Sequence, residues 1–277
     1  MIVSCLCPTF GRYPKFGHLL EESVESFLRQ RIPDGVQVEL IILNDAPGQP
    51  LHIDSKYRAR GVRVINLPVR LPTLGDKYNA MVEMAVGDLL LPWEDDDISL
   101  PGRIEQAVRL TPAGGYFNPQ ASWYRPGDGL HHDHKHGVCH NASAFSRDAW
   151  LAANGYPPAV GNQDHLFDQQ LKNTRGVKVA RLSDPTDPRE WQYIYRWGVS
   201  DSHLSGFSDM RAAWNDVAAR VETGWLFGIK PHWERDYNSE VRDYLASLNC
   251  DGNRNRVAVG YTLREMPECS AYAGAAG

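Results

Sequence analysis

The chain lacks a long apolar run, an excess of basic residues and a paired set of cysteines. No apolar stretch in its 277 residues approaches the ~18 residues of a transmembrane helix, so we expect no membrane-spanning segment. The formal net charge of -5 argues against a protein that coats nucleic acid, because phosphate contacts usually need a basic face. Five unevenly spaced cysteines predict buried thiols of a reduced, cytoplasmic protein. The N-terminus begins a strand without a charged region, which predicts no signal peptide.

Alternating apolar runs and helical patterns in residues 1–100 predict an α/β protein with a doubly wound, mostly parallel sheet. Short apolar runs indicate buried strands, and leucines and valines at helical spacing lie between them. The predicted strands cover residues 2–7, 38–43, 62–65 and 88–93. Ligands of such sheets bind at the carboxyl ends of the strands. Since polar residues follow three of these strands, we expect Thr9 and Arg12, Asn44 and Asp45, and the acids 94–97 to converge on one edge.

The most informative segment is a run of four acids, Glu94, Asp95, Asp96 and Asp97, directly after an apolar strand. Four carboxylates at one strand end repel each other unless a cation neutralises them. Magnesium and manganese prefer oxygen ligands and often bring phosphate oxygens with them, so the run predicts a metal–phosphate site. The alternative is a solvated acidic turn that caps a helix beginning near Pro101.

The order of the motifs resembles glycosyltransferase family 2, whose members are inverting enzymes with the GT-A fold. In Gly75-Asp76-Lys77-Tyr78-Asn79-Ala80, Tyr78 stands where arginine is common. Glu94 replaces the first aspartate of the family's Asp-x-Asp-Asp motif, and Gln163 replaces a glutamate. The resemblance covers roughly residues 2–206 and rests on the segments 7–10, 40–45, 75–80, 94–103, 154–156 and 162–164.

This resemblance implies a nucleotide-diphosphate sugar as the donor, and we expect a UDP-sugar. It also implies a divalent metal, Mn²⁺ or Mg²⁺. It implies that Asp96 and His203 bind the metal. It also implies that Asp164 is the general base that takes the proton of the acceptor hydroxyl. The residues implied to bind the nucleotide sugar are Pro8, Thr9, Arg12, Asp45, Lys77, Asn79, Glu94 and Asp95.

We expect a nucleotide-sugar-binding half in residues 1–100, an acceptor-binding half in 101–206, and a C-terminal helical extension with a frayed tail in 207–277. The acceptor stays open between a glycan, a lipid-linked molecule, a protein, a small molecule and nucleic acid. Two other functions stay open as well. One is a sugar nucleotidyltransferase, and the other is a calcium-dependent glycan-binding module without catalysis.

Several residues also have a purely structural interpretation. Lys77 is read equally well as a solvated lysine, and Asp45 as a turn-forming residue. Asp164 suits the N-cap of a helix through Leu166 and Phe167, and Asp97 suits an N-cap or a buried brace. The histidine run 131–136 permits a zinc site, although histidine runs on loops are usually solvated.

Overall fold

The computed structural model describes residues 1–11, 17–53, 55–119, 122–125, 129–132, 140–159, 162–182, 190 and 192–196. The predictions for Arg12, His203, the side chains of the histidine run 131–136 and the extension 207–277 fall outside what it describes. Within these ranges, no helix is long and apolar enough to cross a membrane.

The first half of the chain alternates strands and helices as the sequence predicts. Its strands are β1 (Ile2–Thr9), β2 (Gln37–Asn44), β3 (Val62–Asn66) and β4 (Leu89–Pro92). The helices between them are α1 (Gly17–Leu28), α2 (Ser55–Arg58) and α3 (Leu74–Met84). β1 pairs in parallel with β2 and β4, and β2 pairs in parallel with β3. Because Thr9 lies opposite Asn44 and Leu6 lies opposite Pro92, the carboxyl ends of these strands meet at one edge.

The second half adds shorter elements. The sequence predicts its helices near Pro101 and through Leu166 and Phe167, but not most of its short strands. The elements of this half are β5 (Ile98–Ser99), α4 (Arg103–Leu110), β6 (Gly115–Phe117), β7 (Ser122–Arg125), β8 (Gly129–His132), the 3-10 helix η1 (His140–Ala142), β9 (Ala144–Ser146), α5 (Arg147–Ala152), α6 (Gln163–Asn173), β10 (Lys178–Ala180) and β11 (Tyr193–Arg196). The seven-stranded main sheet has the order β10-β6-β9-β4-β1-β2-β3. β9 is antiparallel to β4 and β6, and a four-stranded sheet has the order β5-β11-β7-β8. The predicted α/β fold with a mostly parallel sheet is confirmed, and the two antiparallel pairings of β9 make the sheet mixed.

Helices cover both faces of the main sheet, which explains why its central strands are apolar throughout. Alternate residues of β1 point to opposite faces: Val3, Cys5 and Cys7 pack with α1 and α4, whereas Leu6 packs with α3, α5 and α6. Cys5 and Cys7 are buried and form no disulfide among the described residues, as expected.

The start of α3 is fixed by its cap and by a close backbone contact. The Thr73 hydroxyl accepts a hydrogen bond from the Asp76 amide at 3.0 Å, which satisfies a free donor of the first turn. A Cβ at Gly75 would stand 2.1 Å from the carbonyl oxygen of Pro157. Only glycine therefore allows the loop before α6 to approach α3, the helix that carries Lys77 and its neighbours.

Candidate functional site

The four acids lie in the loop between β4 and β5, and three of them are buried. Asp95, Asp96 and Asp97 are 4%, 7% and 2% exposed. α4 begins beyond them from an N-cap at Gly102, so the acids do not cap that helix. The alternative of a solvated, helix-capping turn is therefore wrong. Burying carboxylates costs free energy unless hydrogen bonds or cations compensate, so this loop requires support from its surroundings.

Neighbouring elements hold the acidic loop through specific hydrogen bonds. The Ser23 hydroxyl of α1 donates to the Glu94 carbonyl oxygen at 2.6 Å, and the Trp93 indole donates to the Ser23 carbonyl oxygen at 3.0 Å. The Tyr193 hydroxyl of β11 donates to Asp97 Oδ2 at 2.5 Å. Asp97 is thus a buried brace and not an N-cap.

Arg103, to which sequence reasoning gave no role, is a buried cation beside this loop. It is 2% exposed and donates to the carbonyl oxygens of Pro92 and Asn141, each at 2.5 Å. Its guanidinium also lies over the rings of Trp93, at 4.8 Å, and Tyr193, at 4.7 Å. The available signal was a basic residue shortly after an acidic run, at the start of a helix.

Lys77 reaches from α3 to the carboxyl ends of β1 and β2. Its Nζ donates to Asp45 Oδ1 at 2.5 Å and to the Thr9 carbonyl oxygen at 2.6 Å. Lys77 is only 4% exposed, so the alternative of a solvated lysine is wrong. Burial lowers the pKa of Lys77, while the adjacent Asp45 carboxylate opposes that shift. The ion pair joins three elements at the predicted edge.

Asp45 is fixed from two sides and does not form the local turn. Its Oδ2 accepts a hydrogen bond from the Leu71 amide at 3.0 Å. The turn after β2 is instead closed by Asn44, whose Oδ1 accepts from the Ala46 amide at 3.2 Å. The turn-forming interpretation therefore belongs to Asn44, and Asp45 presents an oriented carboxylate at the strand end.

The last residue of β1 carries an unused hydroxyl. Thr9 is 2% exposed, and its Oγ1 has no hydrogen-bond partner among the described residues. A buried polar atom left without a partner costs about 1–3 kcal/mol. A ligand with a hydrogen-bonding group at this edge would recover that cost.

Glu94 is joined to α3 by a hydrogen bond from the Tyr78 hydroxyl to its Oε1. Burial raises the pKa of Glu94 well above its usual value, and the charges of Asp96 and Asp97 raise it further. Burial likewise raises the pKa of Tyr78. The first acid of the run is thus tied to α3 by a tyrosine hydrogen bond.

Asn79 is engaged by α5 and by the loop between α5 and α6. Its Oδ1 accepts from the Trp150 indole at 3.0 Å and from the Tyr156 amide at 2.7 Å. Its Nδ2 donates to the Tyr156 carbonyl oxygen at 2.9 Å. These bonds hold the Asn154-Gly155-Tyr156 turn against α3. Binding of the nucleotide sugar by Asn79 stays a prediction.

Asp164 lies in the first turn of α6 and is partly buried. Its Oδ1 accepts from the His165 amide at 2.8 Å, whereas the N-cap position belongs to Asn162. The N-cap alternative for Asp164 is therefore wrong. Beside it, Gln163 is 6% exposed, and its Oε1 has no partner among the described residues.

An aromatic cluster, not predicted from the sequence, connects α3 with α6. The Tyr156 ring stacks on Tyr78 at 4.7 Å and on Phe167 at 3.8 Å. The Tyr156 hydroxyl lies 2.8 Å from His140 Nε2. Burial lowers the pKa of His140 to about 4, although the charges of Asp164 and Asp168 oppose the shift. His140 is therefore a neutral core residue at physiological pH.

The described residues do not form a complete metal cage. Among them, no group of three or more histidine, cysteine, aspartate or glutamate side chains is arranged to hold a metal ion. Magnesium is usually held by one or two carboxylates together with substrate phosphates. Asp96, which is 7% exposed, supplies a carboxylate of the type that such a site uses.

Comparison with known proteins agrees with the fold and the motifs. Residues 4–162 match the model of glycosyl transferase family 2. The uncharacterized glycosyltransferase YwdF of Bacillus subtilis (strain 168) is 32% identical over 121 residues, 44% of this chain and 42% of that protein. This chain therefore spans less than half the length of that relative.

Two solved structures share the fold at low sequence identity. S. aureus TarS 1-349 has a TM-score of 0.54 and 15% identity over 71% of this chain and 60% of that chain. The same protein in complex with UDP-GlcNAc has a TM-score of 0.55 and 14% identity over 92% and 72%. Together with the match over more than half of its length, this GT-A type fold leads to one assignment: the chain belongs to glycosyl transferase family 2.

Proposed function

We propose that this protein is a metal-dependent, inverting glycosyltransferase. It transfers a sugar from a nucleotide-diphosphate sugar to an acceptor hydroxyl, and a UDP-sugar is the first donor to test. One observation carries the proposal. The buried acids 95–97 follow β4, while Thr9, Asp45 and Lys77 are in contact at the ends of the adjacent β1 and β2. Ligands of open α/β sheets bind at this edge. TarS, which shares the fold, has been solved with UDP-GlcNAc and with UDP.

The donor would be held by the strand ends. Pro8 and Thr9 would contact the base and ribose with Asp45, whose oriented carboxylate accepts hydrogen bonds, and Arg12 would contact the phosphates. Glu94 and Asp95 would contact the ribose hydroxyls of the donor and water bound to its phosphates.

Two further predicted binding residues would act from behind the donor. Lys77 donates hydrogen bonds to Asp45 and the Thr9 carbonyl, so we propose that it keeps Asp45 in place. Asn79 is engaged by Trp150 and Tyr156, so we propose that it fixes the loop before α6. In both cases the contribution to donor binding is indirect.

Asp96, together with His203, would hold the divalent metal. When bound, Mn²⁺ or Mg²⁺ neutralises the diphosphate and stabilises the departing nucleoside diphosphate. The protein's own part is to keep the carboxylates of the acidic loop in fixed positions, and the bonds from Ser23 and Tyr193 supply that rigidity.

Asp164 would act as the general base. The acceptor oxygen attacks the anomeric carbon on the face opposite the diphosphate, the bond from that carbon to the phosphate oxygen breaks, and the hydroxyl proton moves to the Asp164 carboxylate. Attack from the opposite face inverts the anomeric configuration. Proton transfer to a positioned side chain contributes typically about 10²–10⁴-fold in rate. The partial exposure of Asp164 on the first turn of α6 suits contact with an acceptor.

A thermal-shift screen of nucleotide sugars and free nucleoside diphosphates, with and without manganese, tests the proposal. A ligand at about 100 times its dissociation constant should stabilise the fold by roughly 2.7 kcal/mol. We expect a UDP-sugar to stabilise the protein only when manganese is present. Stabilisation by a nucleoside triphosphate with a sugar phosphate would indicate a nucleotidyltransferase instead. Stabilisation by a glycan with calcium alone would indicate a binding module.

A further inference from the structure

Two departures from the family's motifs contact each other. Tyr78 stands where arginine is common, and Glu94 stands in place of the first aspartate of the acidic motif; the Tyr78 hydroxyl donates to Glu94 Oε1. We infer that the two residues form one compensating pair, in which Tyr78 positions the Glu94 carboxyl for the donor. This inference rests on the proposed function, because it is there that Glu94 contacts the nucleotide sugar.

The Tyr78 ring is buried and stacked, which restricts the orientations open to its hydroxyl. Tyr78 is 1% exposed and stacks on Tyr156, with the ring planes 14° apart. Tyr156 packs on Phe167 from α6, and its backbone is held by the neighbouring Asn79 through two hydrogen bonds. A buried, stacked ring loses little additional conformational entropy when it orients a partner.

Glu94 is held at both ends. Its carbonyl oxygen accepts from the Ser23 hydroxyl at 2.6 Å, and its Oε1 accepts from Tyr78. A tyrosine has a single O–H to donate, whereas an arginine fork can engage both oxygens of a carboxylate. The tyrosine contact therefore leaves Oε2 for a hydroxyl of the ligand. Glutamate is one methylene longer than aspartate, so its carboxyl group can reach the Tyr78 hydroxyl, which extends less far than an arginine guanidinium.

The fold contains a matched control for this contact. On β6, the Tyr116 hydroxyl donates to Asp168 Oδ1 at 2.5 Å, and these residues are 0% and 1% exposed. Asp168 also accepts from Asn118 and Lys172, which keep it paired when the tyrosine hydroxyl is removed. Tyr78→Phe and Tyr116→Phe each remove a hydrogen bond from a buried tyrosine hydroxyl to an acidic side chain, and Tyr116→Phe also removes one with Ser143. Only the first deletion removes a bond to a proposed donor-binding residue.

The test is calorimetric titration with UDP and with GDP in saturating manganese. We expect Tyr78→Phe to weaken binding of the nucleoside diphosphate roughly tenfold, because it removes a hydrogen bond to an acidic side chain. Tyr116→Phe should bind as wild type, although both variants should melt earlier. Glu94→Asp should also weaken binding. Adding Tyr78→Arg to Glu94→Asp should recover affinity, because the arginine can reach the shorter carboxylate.

The outcomes are separable. Wild-type affinity in Tyr78→Phe overturns the inference and leaves the proposed function standing. Equal losses in Tyr78→Phe and Tyr116→Phe also overturn it, because they would reflect general loosening of the core. If Tyr78→Phe does not fold, the double variant decides: affinity no higher than that of Glu94→Asp overturns the pair. Failure of the wild type to bind either nucleoside diphosphate overturns the proposed function itself.

Discussion

Lys77 and Asp45 form a buried ion pair at the edge of the sheet, with Nζ 2.5 Å from Oδ1 and both side chains 5% exposed. The pair links the first turns of α3 to the end of β2, and the Thr9 carbonyl adds the end of β1. Removing one partner of such a pair strongly destabilises the fold, because the other partner is left as an uncompensated buried charge. The geometry of the candidate donor site therefore depends on a residue that the donor need not touch.

Replacing Lys77 by methionine should lower the free energy of unfolding by roughly 3–5 kcal/mol, since it strands the Asp45 carboxylate. Urea denaturation monitored by circular dichroism measures this. Arg31→Met is the control, because Arg31 pairs with Glu105 at 3.0 Å but the two side chains are 62% and 50% exposed. An exposed pair of this kind contributes at most about 1 kcal/mol. Equal losses in the two variants would contradict the buried-pair account.

Asp164→Asn should leave donor affinity and stability near wild type while lowering the transfer rate by about 10²-fold or more, as loss of a general base does. Asparagine keeps the shape of the side chain but does not take the proton. Asp168→Asn, one turn further along α6, should instead change stability. It weakens the bonds from Tyr116, Asn118 and Lys172 and should lower stability. Transfer at the wild-type rate in Asp164→Asn would exclude it as the base.

His140 should make the fold less stable in acid. Burial lowers the pKa of His140 from 6.5 to about 4, so below pH 6.5 the unfolded chain takes up a proton that the folded chain does not. Stability is therefore lost as the pH falls from 6.5 towards 4, by about 3 kcal/mol in total. His140→Gln removes this contribution to the pH dependence of stability. Urea midpoints across this range measure the difference, and identical slopes in wild type and His140→Gln would contradict the prediction.

The sequence was sufficient for the parallel half of the fold. In the second half it indicated α4 and α6 but not most of the short strands, for a physical reason. β1 and β2 are buried apolar runs of eight residues each, long enough to be recognised. β6, β9 and β10 have three residues each, too few to show a period, and β9 pairs antiparallel with strands distant in the chain. Such pairing is decided by tertiary contacts and not by local preference.

At the site, the sequence predicted which residues follow the strands, but it did not predict which side chains contact each other. The sequence indicated that acids follow β4 and that polar residues end β1 and β2. It did not indicate that Lys77 is buried, because most lysines are solvated, or that Tyr78 reaches Glu94. His140 gave no signal, since a single histidine before a short strand has no pattern. These contacts join distant segments, and only the fold brings them together.

The central claim is that Asp96 binds a metal together with a nucleoside diphosphate, and titration calorimetry of UDP tests it most directly. Wild-type protein should bind UDP with manganese and far more weakly without it. Asp96→Asn should lose the manganese-dependent part while its apo melting temperature does not fall, because the substitution removes one of several neighbouring like charges. Equal affinity for UDP in wild type and Asp96→Asn, or affinity that does not depend on manganese, would contradict the account.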